Sequence, residues 1–237
     1  MRTFVMGDIH GAYKALEQCL ARAPFDPALD RLIVLGDVCD VYPQVNACID
    51  TLLSLKHCDF IIGNHDLWAL DWAMTGRKPA MWLEQGGAET MASYGGAAMP
   101  QAHIDFLNRG LPWLEVAGRV FVHAGFDPDR PLKEQGLRRL AWDRALLSIA
   151  VMRRGTGPIG CYREIFLGHT PTMRFGSTVP FQACNVWAMD TGAGWSGKLS
   201  IMDVESKEFW QSDTTPGLYG VAGRGDGRRP GPGEGAN

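Results

Sequence analysis

Six short islands along the chain carry residues that bind metals or move protons: Gly7-Asp8-Ile9-His10-Gly11, Gly36-Asp37-Val38-Cys39-Asp40, Gly63-Asn64-His65-Asp66, Val122-His123-Ala124-Gly125, Gly168-His169-Thr170 and Asp190-Thr191-Gly192. Asp8, His10, Asp37, Asn64, His123 and His169 form a ligand set sufficient for two cations. Two divalent ions held about 3.5–4 Å apart need a carboxylate that gives one oxygen to each. Asp37 is the candidate bridge, because it closes a strand expected to lie beside the first. Asp8 and His10, two apart at a strand exit, then reach metal 1, and Asn64, His123 and His169 fill metal 2. The neutral amide of Asn64 supplies oxygen without charge, which keeps the site cationic enough to attract phosphate. A His/Asp/Asn set without thiolates suits manganese, iron or zinc in a reactive site better than a structural zinc cage. Water bridging two such cations loses its proton near neutral pH and becomes a nucleophile. His65 could then protonate a leaving alkoxide, with Asp40 orienting its ring and raising its pKa.

Each island follows an apolar run of strand type, at residues 3–6, 32–35, 60–62, 120–122, 165–167 and 186–189. Strands that end in glycine and a carboxylate or imidazole deliver their ligands to one rim of a sheet. Ala12, Leu16, Cys19 and Leu20 lie on one helical face that stops before Pro24, and Val45, Ile49, Leu52 and Leu53 lie on another. Strand–helix alternation over the first third predicts a parallel sheet. After Asn108, short strands at 111–116, 119–122, 165–167, 186–189 and 198–204 predict a second sheet stacked on it. Residues 67–94, rich in Trp and Met, read as helical cover beside the site.

At 237 residues with 46% hydrophobic composition, the chain can bury an ample core, and ligands spread from Asp8 to His169 must meet in one domain. That domain is expected over residues 1–215, followed by a tail at 216–237. From Gly223 to Asn237 the tail is nearly all Gly, Pro, Arg and acidic residues and is expected to be disordered. A net charge of −3 excludes a broad basic nucleic-acid surface. The six scattered cysteines read as small buried residues of a reduced compartment. With no apolar stretch of membrane-spanning length and no signal-peptide pattern, a cytoplasmic location is expected.

The ordered set G-D-x-H-G, G-D-x-x-D, G-N-H-[DE], V-H-A-G and G-H-T, spanning residues 7–170, resembles the calcineurin-like metallophosphoesterases and, within them, the phosphoprotein-phosphatase branch. Trp82-Leu83-x-x-Gly86-Gly87-x-x-Thr90-x-x-Ser93-Tyr94 and the run from His123 to Gln135 look like bacterial and phage members, including relatives of symmetrical dinucleoside tetraphosphatases. The resemblance implies an α/β fold of two stacked mixed β-sheets, a β-sandwich flanked by helices. It implies the same metal ligands, with Asp37 bridging, and His65 as general acid. A metal-bridging hydroxide would then hydrolyse a phosphate monoester of a phosphoprotein or small molecule, the branch being one of Ser/Thr phosphatases. The alternative is hydrolysis of a dinucleoside polyphosphate or another phosphodiester.

One departure stands out. The branch continues G-D-x-x-D-R-G, whose arginine grips phosphate, whereas here Asp40 is followed by Val41 and Tyr42. A second phosphate-binding arginine of the bacterial members matches Arg144 in Trp142-Asp143-Arg144. Arg77 or Lys78 could compensate from a lid.

Blander readings compete at single positions. Asp8-x-His10 alone would read as a turn-capping pair, Asp40 as a cap for the helix near Pro43, Arg144 as an ion-paired surface residue, and Asp190 as a turn carboxylate or a partner of His169. His57 and His103 match no island and read as surface residues. A metal-binding scaffold without catalysis would have lost His65 or a ligand, and none is lost.

Overall fold

The computed structural model describes residues 1–221. In chain order these form β1 (Thr3–Met6), α1 (Tyr13–Arg22), β2 (Arg31–Val34), α2 (Val45–Ser54), β3 (Cys58–Phe60), α3 (Asn64–Thr75), α4 (Ala80–Trp82), a π-turn (Leu83–Gly87), α5 (Ala88–Ser93) and α6 (Gln101–Asn108). They continue as β4 (Leu114–Val116), β5 (Arg119–Val122), α7 (Leu137–Trp142), α8 (Ala145–Met152), β6 (Glu164–Leu167), β7 (Phe181–Ala183), β8 (Val186–Ala188), β9 (Ser200–Asp203), β10 (Phe209–Gln211) and α9 (Thr215–Tyr219).

Two mixed five-stranded sheets result, ordered β10-β9-β1-β2-β3 and β4-β5-β6-β8-β7. Within each, three strands run parallel, β1-β2-β3 and β5-β6-β8, while β9 pairs antiparallel with β1, β10 with β9, β4 with β5 and β7 with β8. Period-2 alternation then assigns alternate residues to opposite faces. On β1, Phe4 and Met6 pack under α1 and α2, while Val5 joins Ile33, Phe121, Phe166 and Met202 between the sheets. On β5, Val120 and Val122 face α7 and α8, and Phe121 faces inward to stack on Phe166 at 4.9 Å. Both faces of the central strands are therefore buried, so their runs read as continuously apolar.

The parallel strands share a C-terminal rim, and the ligand islands stand on it. Strand pairing is shorter than the apolar runs. Ile61 lies past the end of β3 and makes an isolated bridge to Leu111, so the segment read as one strand at 111–116 pairs regularly only from Leu114.

Three side-chain expectations differ. Leu53 faces solvent and Cys48 takes its place on the buried face of α2. His103 is buried, with Nε2 against Asp50 and Nδ1 against the Tyr94 hydroxyl, each at 2.9 Å, so it is no surface residue. Cys161 is exposed, and Cys58 and Cys184 are only half-buried. α9 extends past residue 215, where the tail was expected to begin, and docks on α1 through Lys14 and Tyr219. The tail from Gly223 lies outside the described residues. Among the described residues no helix is long and apolar enough to cross a membrane.

Candidate metal centre and active site

Asp8 and His10 leave β1, Asp37 follows β2, Asn64 opens α3, His123 leaves β5, and His169 leaves β6. All six are buried. The turns that carry them are strained: His10, Asp37 and His169 hold left-handed φ of 52°, 49° and 62°, as do Asp40 and Val41 at 73° and 72°. Such conformations persist only where surroundings enforce them. At the second island the enforcing group is Asp66. Its carboxylate accepts the backbone N–H of Asp37, Val38, Cys39 and Gly63 at 2.7–3.1 Å. Gly63 must lack a side chain, because a Cβ there would collide with Asp37 Oδ1.

Acceptors converge at the centre. His123 Nδ1–H donates to the Leu35 carbonyl at 2.6 Å, which leaves Nε2 facing Asn64 Oδ1 at 3.2 Å and Asp37 Oδ2 at 3.4 Å. His10 Nδ1–H donates to the Cys39 carbonyl at 3.2 Å, and its Nε2 faces the same Asp37 oxygen at 3.8 Å. His169 Nε2 is buried without a hydrogen-bond partner. Anchoring one ring nitrogen on a carbonyl while the other faces oxygens is how histidines are aimed at a cation. Two groups have ligand atoms close enough to share an ion, His10–Asp37–His65 and Asp37–His123–His169, and Asp37 belongs to both. The donor set thus fits two divalent cations. Asp8 stands beside it, accepting the His169 N–H at 2.9 and 3.1 Å.

Burial disfavours the His123 imidazolium, yet the neighbouring Asp37 carboxylate raises that ring above its ordinary value. Burial and the carboxylates of Asp190 and Asp37 push Asp8 well above the usual range, while burial and His65 pull His10 down to about 3. Burial and His123 hold His169 well below the ordinary imidazole value. Burial opposes ionisation of Asp37, and the His123 and His65 rings outweigh it, so Asp37 stays charged.

His65 sits at the edge of this cluster. Its Nδ1–H donates to Asp40 Oδ2 at 2.7 Å, leaving Nε2 for chemistry. Burial disfavours the imidazolium, yet the Asp37 charge and the Asp40 hydrogen bond raise His65 to about 9. Asp40 itself is held by Trp82 Nε1–H at 2.9 and 3.0 Å and by the Thr90 hydroxyl at 2.6 Å. Asp40 therefore orients His65 rather than capping α2, whose N-cap is Gln44.

A cleft of about 370 Å³ opens over these groups, lined by His10, Asp37, Asn64, His65, Arg144 and His169 at its base. Arg144 Nη1–H donates to the His169 carbonyl and to Thr170 Oγ1 at 3.0 and 3.1 Å, which fixes the guanidinium beside the candidate ligands. Arg77 and Lys78 do not line the cleft. Arg77 pairs with Asp71, and Lys78 lines a separate depression beside Trp72 and Met91. Asp190 Oδ1 accepts the Gly192 N–H at 2.9 Å, the turn-holding reading, and its residue also lines the cleft.

Residues 1–192 match the model of the calcineurin-like phosphoesterase family. The chain belongs to that family. It is 32% identical over 210 residues to serine/threonine-protein phosphatase 1 of Salmonella typhimurium, covering 85% of this chain and 91% of that protein. It is 31% identical over 275 residues to a symmetrical bis(5'-nucleosyl)-tetraphosphatase of Pseudomonas putida, covering 90% and 93%. A solved structure provisionally assigned as a diadenosine tetraphosphatase superposes with a TM-score of 0.67 at 18% identity, over 89% of this chain and 92% of that one. The two-sheet architecture is thus that of the calcineurin-like metallophosphoesterases, and the protein is a phosphoric ester hydrolase. The family generally uses two divalent metals.

Sequence reading gave Asp66 no role and did not foresee the Trp82 and Thr90 bonds to Asp40. The signal for Asp66 was its place inside the Gly-Asn-His-Asp island. For Trp82 and Thr90 it was their place in the Trp82–Tyr94 motif that carries the likeness to bacterial and phage members.

Proposed function

We propose that the protein is a binuclear metal-dependent phosphomonoesterase acting on phosphoserine or phosphothreonine in proteins. In this reading Asp8, His10 and Asp37 hold one cation, and Asp37, Asn64, His123 and His169 hold the other, with manganese as the resident ion. Bound there, the cations would supply a Lewis-acidic centre that activates a water nucleophile and offsets phosphate charge. Arg144 binds a non-bridging phosphate oxygen, a geometry to which guanidinium is suited. His65, protonated and held by Asp40, delivers its Nε2 proton to the leaving oxygen.

The observation that carries this reading is the His65–Asp40 pair, set beside the ligand cluster at the base of a cleft with Arg144. A proton donor poised this way matters most for an alkoxide leaving group, as from a phosphoserine ester. The competing reading, hydrolysis of a dinucleoside polyphosphate, is favoured by the tetraphosphatase likeness along 90% of the chain. A Mn²⁺-loaded sample assayed side by side on a phosphoserine peptide, p-nitrophenyl phosphate and diadenosine tetraphosphate decides between them. A kcat/KM on the dinucleotide exceeding that on the peptide by tenfold or more would sink the phosphatase assignment. A cytoplasmic location belongs to the same proposal and is checked by fractionation of cells producing the protein.

A further inference from the structure

The cleft mouth departs from what a polyanionic substrate needs, and the departure has a structural cause. Residue 41, where the branch places a phosphate-gripping arginine, is valine. The π-turn lies directly against it. Val41 N–H donates to the Gly86 carbonyl at 3.2 Å, and Gly86, at φ 108°, lies so close that a Cβ there would meet Val41 N at 2.5 Å. Trp82 and Thr90, on either side of the turn, are both bonded to Asp40. The segment that orients the general-acid pair is thereby pinned over the cleft. It presents Glu84 and Gln85, exposed, on the cleft wall. Val41 lines the same wall, and Trp195 adds an aromatic surface to the lining.

Consider the charges a substrate meets. The carboxylates at the base, Asp37 and Asp190, stand among the candidate metal ligands, and Arg144 serves the phosphate there. Glu84 is the acidic group contributed by the wall itself, on the segment that packs against Val41, the position where the branch carries an arginine. A carboxylate there repels a chain of phosphates and attracts a positive group attached to the monoester.

We propose that Glu84 is a specificity-determining residue that selects phosphopeptides carrying a basic side chain next to the phosphorylated residue. This rests on the phosphomonoesterase reading above and narrows its substrate class. The ligand is an Arg or Lys within reach of Glu84, whose long stem can lie along Val41 and Trp195. At a wet rim a single charge pair is modest, so the expected discrimination is about five- to tenfold and falls as salt rises.

The test compares two phosphoserine peptides of equal length, one flanked by Arg and one by Glu, and reads the ratio of their kcat/KM values within each enzyme. Losses common to both peptides then cancel. The intact protein should prefer the Arg peptide by about five- to tenfold in low salt. Glu84→Gln should bring the ratio near one, Glu84→Arg should invert it, and Glu84→Asp should keep it. A ratio unchanged in Glu84→Gln, or equal turnover of both peptides by the intact protein, overturns the proposal. Calorimetric Kd values for the same peptides give the ratio without turnover, and equal affinities would overturn it too. Failure of the parent reading looks different: the Arg preference appears in Kd, while neither peptide is hydrolysed and diadenosine tetraphosphate is.

Discussion

The His65 imidazole donates its Nδ1 proton to Asp40 at 2.7 Å, while the His65 backbone N–H donates to Asp37 Oδ1 at 3.0 Å. One residue is thus tied by its side chain to the carboxylate that orients it and by its backbone to the carboxylate at the centre of the candidate metal site. In the proposed mechanism, proton donor and bridging ligand therefore cannot shift independently, as transfer to a phosphate held on the same centre would require.

His65→Asn should therefore separate substrates by leaving group. General acid help is worth about 10²–10⁴ in rate. The loss should approach that on alkyl phosphates and stay small on p-nitrophenyl phosphate, whose phenolate leaves unaided. Equal losses on both would remove His65 from the acid role. A fall in bound metal would instead make it a ligand, as its place beside His10 and Asp37 permits.

Asp37→Asn should lower activity by orders of magnitude and loosen both ions, because Asp37 belongs to both ligand groups. Metal analysis of the dialysed variant checks this. Two ions retained as tightly as in the parent would end the bridging assignment.

Asp66→Asn should destabilise the protein even with chelator present. Oδ2 accepts from Asp37 and Gly63, and Oδ1 from Val38 and Cys39, so either orientation of an amide turns its NH₂ toward two N–H donors. The expected loss is about 3–5 kcal/mol, since buried donors lose a charged acceptor. At about 2–4 °C per kcal/mol for a chain of this size, the melting temperature should drop by roughly 6–20 °C. A drop under about 2 °C would show that the loop holds its strained φ values unaided.

Trp82→Phe keeps an aromatic ring in the core but removes the N–H that binds both Asp40 oxygens. We expect a stability loss of about 1–3 kcal/mol and the leaving-group pattern of His65→Asn in weaker form. Unchanged activity on alkyl phosphates would mean that Thr90 and His65 suffice to hold Asp40.

Asp30 carries an acid-stability contribution remote from the site. It accepts the Arg2 guanidinium and the backbone N–H of Arg2 and Asp26, which overcome the effect of burial and bring it down to about 2 from 3.8. A carboxylate depressed in the folded state stabilises above its unfolded pKa and loses that contribution as pH falls through the folded one. The melting-temperature gap between parent and Asp30→Asn should hold constant above about pH 5 and shrink from about pH 4 toward pH 2. A gap independent of pH would remove the charge from the argument.

The amino-acid sequence determined the chemistry because that chemistry is local. A glycine, a carboxylate and an imidazole at the end of an apolar run are adjacent in the chain, and parallel strands deliver such ends to one rim whatever the loops do. Asp8, His10, Asp37, Asn64, His123 and His169 were legible as candidate ligands for that reason. The tertiary structure alone decided what holds them. Trp82 and Thr90 reach Asp40 across 42 and 50 residues, and Asp66 reaches back 29 to Asp37. Such hydrogen bonds have no period and depend on how helices dock, so no spacing rule announces them. His103 read as surface because its partners, Asp50 and Tyr94, come from other helices. Arg77 read as a replacement clamp because its charge was visible, but its direction was not: it turns to Asp71, and Glu84 lines the cleft instead.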